Sequence, residues 1–215
     1  MEASFWHERW ATGQIGWHER NFNPLLTAHF HELGLRAGSR VFVPLCGKTR
    51  DIAWLLQQGY TVAGSELSEI AVQQLFAELG VAPAVTTTGT LQRYSAPGLD
   101  VYVGDIFDLR AEQLGGVAAT YDRAALVALP PPTRARYAQH LMALTNSAPQ
   151  LLVCFEYDQN LMAGPPHSVP ATEVWRQYGA AYRLTLAYAQ ALPEGLKGTP
   201  ANELVWLLQR TTPQR

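Results

Sequence analysis

The sequence predicts an α/β fold: a mostly parallel, doubly wound sheet with helices on both faces. Three observations lead there. Short apolar runs are bounded by turn residues, longer amphipathic runs lie between them, and four such segments follow one another as strand, helix, strand, helix within about forty residues of Arg40. That rhythm belongs to right-handed βαβ crossovers.

Residues 41–45 are continuously apolar and read as a buried strand; residues 51–58 set Ile52, Leu55 and Leu56 on one side and read as a helix. A second apolar run covers 60–67. Ser68 is placed to N-cap a helix through Leu79, which Gly80 ends. The middle is less regular. Thr86-Thr-Thr-Gly-Thr-Leu91 is assigned no element, and residues 91–103, with Tyr94-Ser-Ala-Pro-Gly-Leu-Asp100 as the turn, read as a hairpin. The strand-and-loop pattern returns over 120–129, Pro130-Pro-Pro132 breaks the chain, and Thr133 is placed to cap a helix to about Leu144. Residues 151–157 form the next strand, and 158–170, with its prolines and glycine, is a loop of functional length. A short helix over 172–178 and two strands at 182–189 and 203–208 complete the domain, the last pair suiting an antiparallel hairpin appended to a parallel sheet.

The chain has 215 residues, 47% hydrophobic and 16% charged, which fits one globular domain with a large core. Sixteen basic against eighteen acidic residues give a net charge of −2, so nothing electrostatic favours nucleic acid or a membrane surface. A small-molecule partner is expected. The first ten residues lack the apolar core of a secretory signal, and no apolar run is long enough to span a bilayer, so a cytoplasmic protein is expected. Cys46 and Cys154 lie far apart and read as small buried hydrophobes rather than a disulfide or zinc site. His29 and His31 fall on different sides of a helix with no further ligand at metal spacing, so no metal is expected.

The loop Val41-Phe-Val-Pro-Leu-Cys-Gly-Lys-Thr49 ends like a phosphate-binding P-loop, yet that loop needs a glycine where Phe42 stands. In a doubly wound sheet, ligands bind beyond the carboxyl ends of the strands, so residues 44–49, 66–68, 104–106 and 121–124 should converge. Glu66 lies about twenty residues past the first loop, where such folds set an acid on ribose hydroxyls. The fingerprint G-x-G-x-x-G is absent, with Gly47 alone and Pro44 and Leu45 where a pyrophosphate would need bare backbone. A nucleoside without phosphates fits better, and S-adenosylmethionine joins one to a reactive cationic group.

Six segments then resemble a known family: Phe5-Trp-His-Glu-Arg-Trp10 with Gly13, Arg40-Val-Phe-Val-Pro-Leu-Cys-Gly-Lys48, Gly64-Ser-Glu-Leu-Ser68, Asp105-Ile-Phe-Asp-Leu109, Tyr121-Asp-Arg-Ala-Ala-Leu-Val-Ala128 and Gly164-Pro-Pro166. In combination they are specific, and the sequence is similar to the thiopurine S-methyltransferases, bacterial members included, from Phe5 to about Leu208. The resemblance implies a class I, Rossmann-like methyltransferase: a seven-stranded, mostly parallel sheet with an antiparallel last strand, using S-adenosylmethionine to methylate a thiol or selenol. It implies an N-terminal helical segment, residues 1–35, covering the cofactor, and a core over 36–215. By the same resemblance, Trp6 and Trp10 are expected to close over the cofactor, Leu45 to meet its methionine part, Glu66 to take the ribose, Asp105 and Ile106 to lie beside the adenine, and Arg123 to stand near the sulfonium and the acceptor. Trp17 falls where the family usually places an aromatic contact with the acceptor. Members of the family commonly carry Phe where this chain has His167, which bears on acceptor range, and Val where it has Ser65.

Methyl transfer from a sulfonium to a thiolate needs proximity, alignment and dry walls more than acid–base groups. Arg123 is expected to stabilise the anion, with Asp122 or a water as proton acceptor; the plainer reading of Asp122 and Arg123 is a strand-end ion pair. The tryptophans read either as packing on one helix face or as a cover that excludes water. His167 reads as an acceptor contact or a surface residue. A non-catalytic S-adenosylmethionine-binding protein is the alternative, the missing glycines disfavour a nucleotide-dependent oxidoreductase or kinase, and a monomer is the simplest expectation.

Overall fold

The structure, a computed structural model, describes residues 3–211. Residues 1–2 and 212–215, the outer ends of the two expected segments, lie outside the described residues. Helices α1 (Ala3–Ala11) and α2 (Pro24–His29) precede β1 (Arg40–Val43). There follow α3 (Asp51–Gln57), β2 (Thr61–Glu66), α4 (Glu69–Leu79), β3 (Ala84–Thr88), β4 (Leu91–Ala96), β5 (Leu99–Val103), α5 (Ala111–Leu114), β6 (Ala119–Arg123) and α6 (Pro131–Thr145). The chain closes with β7 (Gln150–Tyr157), α7 (Ala171–Tyr178), β8 (Tyr182–Ala191) and β9 (Ala201–Arg210).

Among the described residues, nine strands join one sheet in the order β3-β4-β5-β2-β1-β6-β7-β9-β8. From β5 through β7 every neighbour is parallel, and β9 runs antiparallel to both β7 and β8. Seven strands, β5-β2-β1-β6-β7-β9-β8, thus form the expected sheet with an antiparallel last strand. The hairpin read at 91–103 is β4–β5, and β3 extends it to an antiparallel meander at the edge. Sequence patterning misses β3 because four of its five residues face solvent, leaving no apolar alternation to read. The two late strands do form a hairpin, but β9 lies inside the sheet and β8 takes the edge. Burial explains this: Leu204 to Leu208 are all buried on β9, whereas β8 exposes alternate and then successive residues.

Alternation along β1 seeds a core on each face of the sheet. Phe42 joins Tyr102, Tyr137, Leu141, Leu152 and Trp206 on one face; Val41 and Val43 join Ile52, Leu55, Val62, Leu75, Phe76 and Val101 on the other. Ser68 caps α4 as expected, its Oγ accepting from Ala71 N at 3.4 Å, and Gly80 ends that helix at φ +70°. The proline run behaves differently from its expectation. Pro131 and Pro132 start α6, because proline in a first helical turn gives up no internal hydrogen bond, so Thr133 sits inside the helix and does not cap it. Among the described residues, no helix is long and apolar enough to cross a membrane.

Candidate active site

The carboxyl ends of β1, β2, β5 and β6 lie side by side, and the loops leaving them border a single cavity of about 570 Å³. Its lining includes Leu45 to Thr49, Glu66, Leu67, Asp105 to Phe107, Tyr121, Arg123 and Ala124, so the four predicted segments converge. Glu66 is buried at the end of β2, its Oε2 accepting from Gly47 N and its Oε1 from Ser68 N, both at 2.8 Å. Burial pushes its carboxyl above the usual range, and the N–H donors of Ser68, Gly47 and Leu67 oppose that rise by favouring the anion. The loop that meets it is tightly folded. Leu45 holds φ +47°, uncommon for a residue with a side chain, while Cys46 N donates to Ser65 O at 2.9 Å and Leu45 N to Ser65 Oγ at 3.4 Å. Ser65, the departure from the family's valine, thus adds a donor-accepting hydroxyl beneath that loop. Cys46 is buried under the loop with its thiol pushed well up by desolvation, so it is no nucleophile. Lys48 points away from any phosphate role, its Nζ pairing with Glu78 at 2.8 Å.

The N-terminal segment supplies the opposite wall. Trp6 and Trp10 share one face of α1, and Trp17 follows in the segment leading to α2; Trp17 meets Trp6 edge-on at 5.3 Å and Trp10 at 6.0 Å between ring centroids. All three line the cavity. Trp10 is buried against Gly47, where an added Cβ would stand 2.9 Å from Trp10 Cζ2. The connecting segment is pinned to the core by Arg50 Nη1, which donates to Arg20 O at 3.1 Å, and by Asn23, which caps α2 and whose N donates to Asp51 Oδ1 at 2.8 Å. Asp51 Oδ2 accepts from Tyr121 OH at 3.0 Å. The sequence signal for Asp51 is an acid opening the helix that follows the glycine loop, a position without a role in the expected site.

Beyond β6 the structure separates two adjacent residues. Arg123 faces the cavity and pairs with Glu19 of the N-terminal segment, a contact between residues 104 positions apart. Asp122 turns the other way, as successive strand residues do, and is fully buried with Oδ1 accepting from Leu126 N at 3.0 Å and Oδ2 from Tyr137 OH at 2.7 Å. Desolvation raises its pKa to about 6 against those two opposing bonds. This corrects both expectations for Asp122: it neither borders the cavity as a proton acceptor nor pairs with Arg123.

His167 also departs from expectation. Its backbone N–H donates to Val127 O at 2.6 Å, its ring packs at Gly164, and its Nε2 is buried without a hydrogen-bond partner, whereas Gly164, Pro165 and Pro166 reach the cavity. The loop brings its prolines to the site and turns the imidazole away. Asp105 is exposed and accepts from Phe107 N at 3.0 Å, starting a short turn that buries Ile106 and sets Phe107 on the cavity wall, with Arg136 stacked 3.7 Å above the Phe107 ring. Leu196 and Lys197, from the β8–β9 turn, complete the rim, and Lys197 Nζ donates to Pro165 O at 2.8 Å. The only sequence cue to them was a glycine-flanked turn between two late strands. Among the described residues, no cluster of three or more His, Cys, Asp or Glu could hold a metal; His29 instead contacts Glu32 at 2.6 Å.

A family model described as thiopurine S-methyltransferase matches residues 1–210. A thiopurine S-methyltransferase of Xanthobacter autotrophicus is 61% identical over 98% of this chain and all of that protein, and one of Teredinibacter turnerae is 53% identical over 98% of each. Among solved structures, a Burkholderia thailandensis 1,6-didemethyltoxoflavin-N1-methyltransferase with bound S-adenosylhomocysteine superposes at TM-score 0.65 and 17% identity, covering 96% of this chain and 87% of that one. A magnesium protoporphyrin IX methyltransferase from Synechocystis, also with S-adenosylhomocysteine, gives TM-score 0.61 at 14% identity over 97% of this chain and all of that one. The fold is that of S-adenosylmethionine-dependent methyltransferases, and the chain belongs to the thiopurine S-methyltransferase family.

Proposed function

We propose that this chain transfers the methyl group of S-adenosylmethionine to the sulfur of thiopurines and other heteroaromatic or aromatic thiols. The observation that carries the reading is the cavity itself: four strand-end loops meet a wall of three tryptophans, with the buried carboxylates of Glu66 and Asp51 in the lining and no free run of cations. That donor set fits a phosphate-free nucleoside. Glu66 offers acceptors to ribose hydroxyls, Ile106, Phe107 and Asp105 border the space for an adenine, and the Leu45–Gly47 backbone lies beside the space for the amino-acid part. When bound, S-adenosylmethionine supplies an electrophilic methyl on a sulfonium.

The chain's own groups align and dehydrate the partners. Trp6, Trp10 and Trp17 exclude water and present aromatic faces to a cation. Arg123 offers positive charge to a thiolate at the same cavity. An aromatic thiol is acidic enough to arrive ionised, so a chain that keeps Asp122 away from the cavity lacks nothing essential for the reaction. The reading includes action as a monomer and extends to selenols, whose anions are still softer nucleophiles, in a cytoplasmic detoxifying role.

The test is methyl transfer from labelled S-adenosylmethionine to a thiopurine, with selenol acceptors in parallel. Turnover that Glu66→Ala reduces at least about a hundredfold supports the reading, as expected when a buried acceptor to the cofactor is removed. Tight cofactor binding with no product on any acceptor would point instead to a binding protein.

A further inference from the structure

Arg123 is already supplied with a counter-ion. Its side chain is 15% exposed on the cavity wall, and Glu19 Oε1 lies on its Nη2. Glu19 is 44% exposed but does not hang free, since its Oε2 accepts from Asn23 Nδ2 at 3.4 Å and the segment around it is held at Arg20 and Asn23 by Arg50 and Asp51. Both residues line the cavity. Glu203, half-buried on β9, feels the same pair: burial first, then Glu19, raises its proton affinity, and Arg123 opposes them. Two other cations of the lining are engaged elsewhere, and a third, Arg9, stacks on an aromatic ring with no carboxylate in contact among the described residues. Lys48 pairs with Glu78, Lys197 holds Pro165 O, and the Arg9 guanidinium lies 4.5 Å over the Phe5 ring.

An incoming acceptor therefore meets a guanidinium whose charge is balanced before it arrives. A lone thiolate can share Arg123 with Glu19, because the two anions approach different N–H groups of one planar fork. A second anionic group beside the sulfur finds the guanidinium of Arg123 already paired, and it faces the Glu19 carboxylate in a partly enclosed cavity where like charges repel more strongly than in water. Resting on the S-methyltransferase reading, we propose that Glu19 is a specificity-determining residue: as the built-in counter-ion of Arg123, it selects acceptors whose only negative charge is the reacting sulfur and rejects those carrying a neighbouring carboxylate. Discrimination is a difference of interactions, and here the repulsive element comes from the N-terminal segment rather than from the sheet.

Thiophenol and meta-mercaptobenzoate differ by one carboxylate and serve as the probe pair, assayed with wild type and Glu19→Gln. Wild type is expected to prefer thiophenol in kcat/KM, and Glu19→Gln to raise the relative kcat/KM of the carboxylated thiol by about five- to tenfold, as removal of one like charge at short range predicts. A ratio equal within about twofold in the two proteins overturns the proposal, because a purely structural role would slow both acceptors alike. Should Glu19→Gln lose S-adenosylhomocysteine binding, the wild-type ratio is read against salt from about 20 mM to about 500 mM. Screening should relax the discrimination against the carboxylate, and a flat ratio overturns the proposal. Wild type that binds S-adenosylhomocysteine yet methylates neither thiol, nor a thiopurine, removes the S-methyltransferase reading and this inference with it; turnover with an unchanged ratio removes the inference alone.

Discussion

Trp10 lies over Gly47 so closely that a methyl group at position 47 would stand 2.9 Å from the indole Cζ2. Gly47 also holds φ +52° and donates its N–H to Glu66, so one residue couples the tryptophan wall, the first-strand loop and the buried acid. Glycine is required there on two counts, conformation and contact.

Gly47→Ala should cost on the order of 1 kcal/mol of stability for the left-handed backbone alone. The larger effect falls on the cofactor space, since Trp10 must move to admit the methyl. Titration with S-adenosylhomocysteine followed by tryptophan fluorescence should report at least about a tenfold weaker Kd. An unchanged Kd would mean that Trp10 does not close the cavity.

Glu66→Gln is nearly isosteric, yet both Glu66 oxygens accept from backbone N–H groups. The glutamine NH₂ must face either Gly47 N or Ser68 N, donor against donor, and one buried N–H loses its partner. That loss should cost about 1–3 kcal/mol in urea unfolding and weaken cofactor binding in the same variant. In the wild type, the raised carboxyl predicts that cofactor affinity falls on acidification at a pH above that of an ordinary glutamate, because the protonated form gives up an acceptor.

Asp122→Asn tests the burial of a carboxyl that sits away from the cavity. With a folded pKa of about 6 against 3.8 unfolded, the native protein binds this proton more tightly than the unfolded chain. Its contribution to stability is therefore fully present below the unfolded value and is lost as pH rises through about 6, by on the order of 3 kcal/mol. The difference in unfolding free energy between wild type and Asp122→Asn should accordingly be larger at pH ~4 than at pH ~7, where the wild type carries the buried charge. Turnover should stay within about tenfold of wild type, because a working general base would cost a hundredfold or more.

Arg134 and Glu173 form a buried ion pair at 3.0 Å, with side chains 3% and 8% exposed, and Arg134 Nη1 also donates to Ser168 O. It ties α6 to α7 and to the end of the loop that carries Pro165 and Pro166. Arg134→Met leaves Glu173 buried without this partner and should cost about 3–5 kcal/mol by urea unfolding; adding Glu173→Leu should recover a large part of it.

Much of the architecture could be read locally. Residues 41–45 are an apolar run too continuous for a half-exposed strand, and Ser68 with Gly80 brackets α4, because caps are chosen by backbone groups a few residues away. The position of the ligand cavity followed from topology, since parallel neighbours must present their carboxyl ends on one edge. Period-two alternation also separates Asp122 from Arg123: the two are adjacent on one strand, so only one of them could face the cavity.

The sequence by itself thus determined the βαβ core, the crevice at the strand ends and the segments around it, because these depend on periodicity, capping and connection order, all short-range properties of the chain. Only the tertiary structure decided that β9 enters the sheet beside β7, that His167 turns from the cavity while its prolines face it, and that Glu19 sits on Arg123. Those outcomes depend on which surfaces meet after collapse. A contact across 104 positions leaves no period in the sequence, and its energy exists only once the N-terminal segment has closed over the sheet.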